Sequence, residues 1–254
     1  MPSLRTDALT IRFGGHVAVD AVSCAFHPGE LTVVVGPTGP ARPPTSTSVS
    51  RPACASAGSV HLGRRDITRL SAARRARLGL GRAFQLTNLF PGLTVLENVR
   101  LVVQSRLGLG ARFWRSAGAH RAVTDEAHAV LEQTRLGAQA GAITATLSHG
   151  DQRKLEVAMM VAMQPSVFMF DEPTAGMSLD DAPIILELIE QIRRDASRTI
   201  LLVEHKMDVV RQLADRIVVL HNGRLIADGE PGEVMASTIV REVYLGGAPE
   251  QESA

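Results

Sequence analysis

Asp171 and Glu172 close the apolar run "SVFMF" at 166–170. At the end of a strand an aspartate can hold a Mg²⁺ ion through its water shell, and an adjacent glutamate can polarise an attacking water. An acidic pair after a strand serves structure about as often as chemistry, so the pair gains meaning only from its company. His205 ends "TILLVEH", where an adjacent parallel strand would set it beside Glu172; a lone histidine is more often a satisfied polar residue. Gln85, in "RAFQLTNLF", is a neutral polar group able to ligate the metal and to sense a terminal phosphate. Residues 147–156 read "LSHGDQRKLE", with Ser148 and Gly150 just before a helix whose amino-terminal amides favour anions. Plain helix capping accounts for the same residues. "GPTG", Gly36-Pro37-Thr38-Gly39, follows the apolar run "LTVVV" in the manner of a phosphate-cradling loop after a strand.

Such groups need elements to position them. From 4 to 35 the chain carries "ALTIRF", "VAVDAVSCAF" and "LTVVV", broken at Gly14-Gly15 and Pro28-Gly29, which is turn chemistry between strands. "GSVHLG" at 58–63 predicts another strand. From about 71 to 164 the texture becomes helical, and Ala127, Val130, Leu131 and Thr134 fall on one helical face. "SVFMF" predicts a buried parallel strand. Ile184, Ile185, Leu188, Ile189 and Ile192 predict an amphipathic helix with Pro183 near its first turn. "TILLV" and "RIVVL" add two strands around a helix near 207–214, and "HNGRL" predicts a hairpin at Asn222-Gly223. Strands alternating with helices argue a parallel sheet covered on both faces.

Composition limits the alternatives. The 254 residues suffice for one large domain or two small ones, with 45% hydrophobic and 21% charged residues. A net charge of +1 gives no reason to expect nucleic acid or an anionic membrane surface as the main partner. No apolar run approaches the roughly 18–20 residues that span a bilayer. "MPSLRTDALTIRFGG" lacks the apolar centre of a signal peptide, and Cys24 and Cys54 do not make a disulfide framework, so the chain reads as cytosolic. Lys154 and Lys206 are the only lysines; the other basic residues are arginine, as in a gene rich in G and C.

Taken in order, "FGG" with Phe13, "GPTG", "FQ" at 84–85, "LSHGDQ", "VFMFDEPTAG" and "LLVEH" resemble the ATP-binding subunits of ABC transporters, from about residue 4 to Gly246. "RFGGHVAVDAVS", "GRAFQLTNLFPGLTVLENV", "DEPTAGMS" and "VREVYLG" resemble the subfamily serving branched-chain amino-acid importers, and urea-import and lipopolysaccharide-export relatives share several of these. The resemblance implies an α/β fold: a P-loop NTPase-like, mostly parallel sheet core with an antiparallel β subdomain and a helical subdomain. It implies a single nucleotide-binding domain over 1–246, the helical subdomain at about 86–160, and a disordered tail at 247–254. By the same resemblance Phe13 stacks on adenine, Gly36, Pro37, Thr38 and Gly39 open the phosphate loop, and Asp171 supports Mg²⁺. Glu172 is then the general base, His205 contacts the γ-phosphate, and Gln85 senses the metal and couples the site to a membrane subunit. Ser148 and Gly150 bind the γ-phosphate held by the opposite subunit. ATP and Mg²⁺ are the implied ligands. The implied partners are a second ATP-binding subunit, identical or not, two integral-membrane permeases and, indirectly, a substrate-binding protein, at the cytoplasmic face of the membrane. Asp151 and Ser178 depart from the commonest residues of the family, as the subfamily often does.

One departure is larger. The loop pattern G-x-x-x-x-G-K-[ST] requires Gly-Lys-Thr or Gly-Lys-Ser where this chain has Ala41, Arg42 and Pro43, followed by Pro44. The glycine lets amides approach the phosphates, the lysine supplies a compact charge that a guanidinium fork does not reproduce, and proline removes amide donors. Two readings stand. Deleting one G from GGC GCC GGC AAG ACC ACC yields Gly-Pro-Ala-Arg-Pro-Pro, residues 39–44 as they are, so residues 40 to about 56 fit a frame-shifted translation restored near 54–57. That reading requires AGA as the Arg42 codon. The other is a degenerate subunit kept because its "LSHG" segment completes a partner's ATP site, or a non-hydrolytic regulatory or scaffold subunit.

Overall fold

Short β-branched runs form the strands of this chain, and amphipathic stretches form its helices. The computed structural model describes residues 3–13, 16–36, 55–83, 89–109, 117–178 and 180–244. In chain order the strands are β1 (Leu4–Phe13), β2 (His16–Phe26), β3 (Leu31–Val35), β4 (Ala55–Leu62), β5 (Arg65–Asp66), β6 (Leu80–Ala83), β7 (Val167–Asp171), β8 (Thr199–Val203), β9 (Arg216–His221) and β10 (Arg224–Gly229). The helices are α1 (Ala72–Arg77), α2 (Val95–Arg106), α3 (Ala117–Gln133), α4 (His149–Met163), α5 (Ala182–Arg193), α6 (Met207–Leu213), α7 (Pro231–Ala236) and α8 (Thr238–Tyr244). They belong to two compact units, one formed by residues up to 72 with those from 199 onward, the other by 73–198.

In the first unit, an antiparallel sheet has the order β2-β1-β4-β5. Separately, β3 runs parallel to both β8 and β9, and all five residues of β3 and of β8 are buried, as two-sided burial of a parallel strand demands. The β9–β10 hairpin turns at Asn222 (φ 50°) and Gly223 (φ 78°), both left-handed as a type I′ turn requires. A Cβ at Gly223 would lie 2.8 Å from the Ala18 carbonyl oxygen, so only glycine fits both demands. Arg216 binds both carboxylate oxygens of Asp228 at 2.6 Å and also donates to the Ala25 carbonyl at 2.6 Å, which ties the ends of β2, β9 and β10. Cys24 is free and buried; burial, reinforced by Asp228 and opposed by Arg216, pushes its thiol up to about 11.

In the second unit, β6 and β7 pair in parallel, with Ala83 opposite Phe170. Helices α2, α3 and α4 enclose an apolar cluster that includes Val99, Val103, Leu131 and Leu155, each fully buried, and the predicted face of Ala127, Val130, Leu131 and Thr134 points into buried surroundings. Asn98, also buried, is satisfied: its side-chain amide donates to the carbonyls of Phe90 and Thr94 and to Thr144 Oγ1, and its oxygen accepts from the Phe90 N–H. Thr94 and Glu97 form a reciprocal capping box at the start of α2. The helical texture read over 71–164 holds for α1 to α4, but it conceals β6. Gly81 explains why a strand exists there: a Cβ on it would lie 2.6 Å from the ring of Pro165, so the chain at 80–83 is pressed onto its neighbour and pairs with β7. No local alternation announces that pairing.

Candidate functional site

The first unit supplies Gly36 and His205. Val34 of β3 lies opposite Val203 of β8, and each of the two site residues follows that rung by the same short step. Both therefore leave the carboxyl ends of adjacent parallel strands, the edge at which open α/β sheets hold ligands. Gly36 directly follows β3, and Leu220 O would be 3.6 Å from a Cβ there. His205 is half-buried, and its backbone N–H donates to the carboxylate of Glu204 at 3.0 Å, which orients the turn after β8.

The second unit supplies Asp171, Glu172, Ser148 and Gly150. Asp171 is the last residue of β7 and has a fully buried side chain; Arg82 Nη2 in β6 donates to its Oδ2 at 3.1 Å. Glu172, next along, has φ 48°, a left-handed conformation uncommon outside glycine and frequent at functional turns. Among the described residues no group of three or more His, Cys, Asp and Glu converges on one point. One buried carboxylate at a strand end is what Mg²⁺ takes from a protein when phosphates and water fill its other positions, so Asp171 fits that ion.

Ser148 is the N-cap of α4, accepting the Asp151 N–H at 3.1 Å while its hydroxyl donates to Asp151 Oδ2 at 2.8 Å. Gly150 lies within the first turn of α4 rather than before it. A Cβ at Gly150 would meet Asp181 Oδ2 at 2.5 Å, so glycine is what lets the loop preceding α5 approach the α4 amino terminus. Ser178 repeats the pattern of Ser148: its hydroxyl donates to Asp181 Oδ2 at 2.8 Å and accepts the Asp181 N–H at 3.1 Å. Lys154, whose side chain is 9% exposed, joins the two turns, with Nζ 2.6 Å from Asp181 and 3.0 Å from Asp151.

These contacts shift the titrations. Hydrogen bonds from Lys154 and Ser178 hold Asp181 below the usual carboxylate range. Burial pushes Asp151 upward, but hydrogen bonds from Lys154, Ser148 and Gln139 outweigh it and bring the carboxyl below that range. Burial likewise pulls Lys154 down, and its bonds to Asp181 and Asp151 raise it overall. The depressed carboxyls contribute stability above their ordinary 3.8, lost as pH falls through the lowered values. The raised ammonium contributes below its ordinary 10.5, lost as pH climbs through the raised value. Lys154→Met should therefore cost about 2 kcal/mol in urea unfolding at neutral pH. The gap from the unsubstituted chain should close at both extremes of pH.

Of the residues proposed from sequence, Gly36, Asp171, Glu172 and His205 lie at strand ends and Ser148 directly precedes α4, as the sequence indicates, whereas Gly150 lies inside the first turn of α4. Pro37, Thr38, Gly39 and Gln85, and with them residues 41–44, fall outside the described residues. Phe13 is the last residue of β1. Arg82, Lys154 and Asp181 were not foreseen. The i, i+3 spacing of Asp151 and Lys154, on one of only two lysines, was the available signal for one of them.

Comparisons with known proteins identify the family and the fold. Residues 19–175 match the ABC transporter family. The chain is 33% identical over 252 residues to the high-affinity branched-chain amino acid transport ATP-binding protein LivG of Salmonella typhimurium, covering 97% of this chain and 99% of that one. It is 31% identical to the corresponding BraF of Pseudomonas aeruginosa over the same shares of the two chains. The fold superposes on a nucleotide-free ATP-binding cassette from an ABC transporter with a TM-score of 0.79 at 25% identity, covering 97% of this chain and all of the other. The ADP conformation of the cassette MJ1267 gives 0.77 at 26% identity, again over 97% and 100%.

Proposed function

The chain belongs to the ABC transporter family, and we propose that it is the ATP-binding subunit of an importer for branched-chain or related amino acids. The observation that carries this reading is end-to-end similarity to LivG and BraF, whose names state that transport, combined with acidic and imidazole groups at the carboxyl ends of parallel strands. Asp171 would hold Mg²⁺, which neutralises the phosphate charge when bound. At a phosphate loop that holds a nucleotide, Glu172 would take a proton from the water whose oxygen attacks the γ-phosphorus, and His205 would steady the γ-phosphate. Ser148 and the first amides of α4 receive the γ-phosphate bound by the other subunit of a dimer. Lys154 offsets the charge of Asp151 beside that phosphate, which otherwise opposes an anion.

Two permeases complete the assembly. No helix among the described residues is long and apolar enough to cross a membrane. We assign the permease contact to a cavity of about 160 Å³ in the second unit, lined by Ala83, Leu89, Val102, Met159, Met160 and Met163 among others. Flexible methionines suit a surface that must accommodate a partner segment. Ala41, Arg42, Pro43 and Pro44 favour a second reading in which this subunit does not turn over ATP at its own loop and completes the site of an intact partner.

Co-expression with the permeases of the neighbouring genes tests the assignment. The chain should co-purify with them, and vesicles containing the complex together with an ATP-binding subunit whose loop is intact should take up leucine, isoleucine or valine when ATP is inside and the substrate-binding protein outside. Uptake of urea instead, or failure to co-purify with any permease, overturns it.

A further inference from the structure

Asp171 faces a guanidinium as well as the place where a metal is read. Arg82 stands on β6 opposite Met169, close to the end of β7, and its Nη2 reaches Asp171 Oδ2 at 3.1 Å. The Arg82 side chain is 10% exposed and that of Asp171 is fully buried, so the pair is shielded from solvent screening. The guanidinium engages Oδ2, and a hydrated Mg²⁺ brought to the same buried carboxylate sets two cations on one group, where they repel each other. Arg82 also lines the methionine cavity, and the one carboxylate among the residues lining it is Glu156, 8% exposed and 2.8 Å from Arg153 Nη1.

We propose that Arg82 is the resident counter-cation of Asp171, a positioning residue that Mg²⁺ displaces toward Glu156 in the methionine cavity. Metal loading at Asp171 and occupancy of the cavity are then linked through one side chain. By reciprocity, anything that keeps Arg82 out of the cavity weakens the metal at Asp171. The inference rests on Asp171 being the metal carboxylate, the reading given under the proposed function.

The test uses the full chain without nucleotide, so the phosphate loop and the permeases play no part. Thermal unfolding is followed as Mg²⁺ rises to about 10 mM, against potassium chloride of equal ionic strength. The unsubstituted chain should respond little. Arg82→Met should unfold at lower temperature without Mg²⁺ and recover by about 3–5 °C as the ion replaces the guanidinium. The double variant Arg82→Met with Asp171→Asn should not recover. If Arg82→Met fails to fold, Arg82→Gln takes its place, and Arg82→Lys, which keeps a charge, should respond as the unsubstituted chain does. The proposal is overturned if neither Arg82→Met nor Arg82→Gln gains a Mg²⁺ response, if Arg82→Lys gains as much as they do, or if the gain survives Asp171→Asn. Each of these outcomes leaves the transport experiment intact, because that experiment reads permease association and uptake.

Discussion

Titrated with ATP and Mg²⁺, the isolated chain will show no saturable binding below about 1 mM. The reason is chemical and local to residues 41–43. An intact loop contributes a lysine ammonium between the β- and γ-phosphates, close approach of the backbone at glycine, and a hydroxyl on the metal. Arg42 carries the charge but spreads it over a planar fork, and Pro43 and Pro44 remove two amide donors. Hydrogen bonds to charged groups contribute about 1.5–3 kcal/mol each, so losing two of them costs about 3–6 kcal/mol. Since about 1.4 kcal/mol is a factor of ten, that loss is about two to four decades and carries a site of about 10 μM to about 1 mM or weaker. Gly36 and the buried strand β3 do not compensate, because they set where the loop begins and not what it donates. Calorimetric titration measures this directly. Micromolar affinity for the chain as it stands overturns the expectation. Combining Ala41→Gly, Arg42→Lys and Pro43→Thr need not rescue binding, since Pro44 and Pro52 remain where a helix should follow.

Much of the scaffold was legible because the parallel strands of each unit are short, apolar and buried. "LTVVV", "SVFMF", "TILLV" and "RIVVL" became β3, β7, β8 and most of β9, and Asn222-Gly223 dictated its hairpin by backbone conformation alone. The strand read at 58–63 is longer in the structure and starts at Ala55, where cross-strand pairing with Ile11 rather than local pattern sets its beginning. What escaped was whatever depends on a distant partner. β6 contains Gly81 and Arg82, poor announcements of a strand, and it forms because β7 lies beside it. The link from Lys154 to Asp181 spans segments that no local spacing connects, although the Asp151–Lys154 half of the same network was written in an i, i+3 pair. Site residues placed by strand ends were therefore readable, and the groups that hold them in register were not.

Paired with a subunit whose phosphate loop carries Gly-Lys-Thr, this chain will respond in opposite ways to two substitutions. Ser148→Arg should lower ATP turnover of the mixed dimer by about 100-fold or more, the loss typical when a preorganised donor to a reacting anion is removed. Glu172→Gln should leave turnover within about twofold, although removing a working general base costs about 100- to 10,000-fold. The asymmetry follows from which subunit each residue serves. Ser148 caps α4, and under the proposed function that amino terminus serves the nucleotide of the opposite subunit, so its effect would pass to the intact loop. Glu172 follows Asp171 at the end of β7, and in the degenerate-subunit reading of Ala41, Arg42 and Pro43 it is a base with no nucleotide to serve. Phosphate release by the purified mixed dimer, at equal incorporation of each variant, is the measurement. A large loss with Glu172→Gln shows that this chain turns over ATP at its own loop despite its sequence. No loss with Ser148→Arg shows that α4 does not complete the partner's site. Only the combination of a silent Glu172 and an indispensable Ser148 describes a subunit that has given up its own phosphate cradle and still lends its signature helix to another.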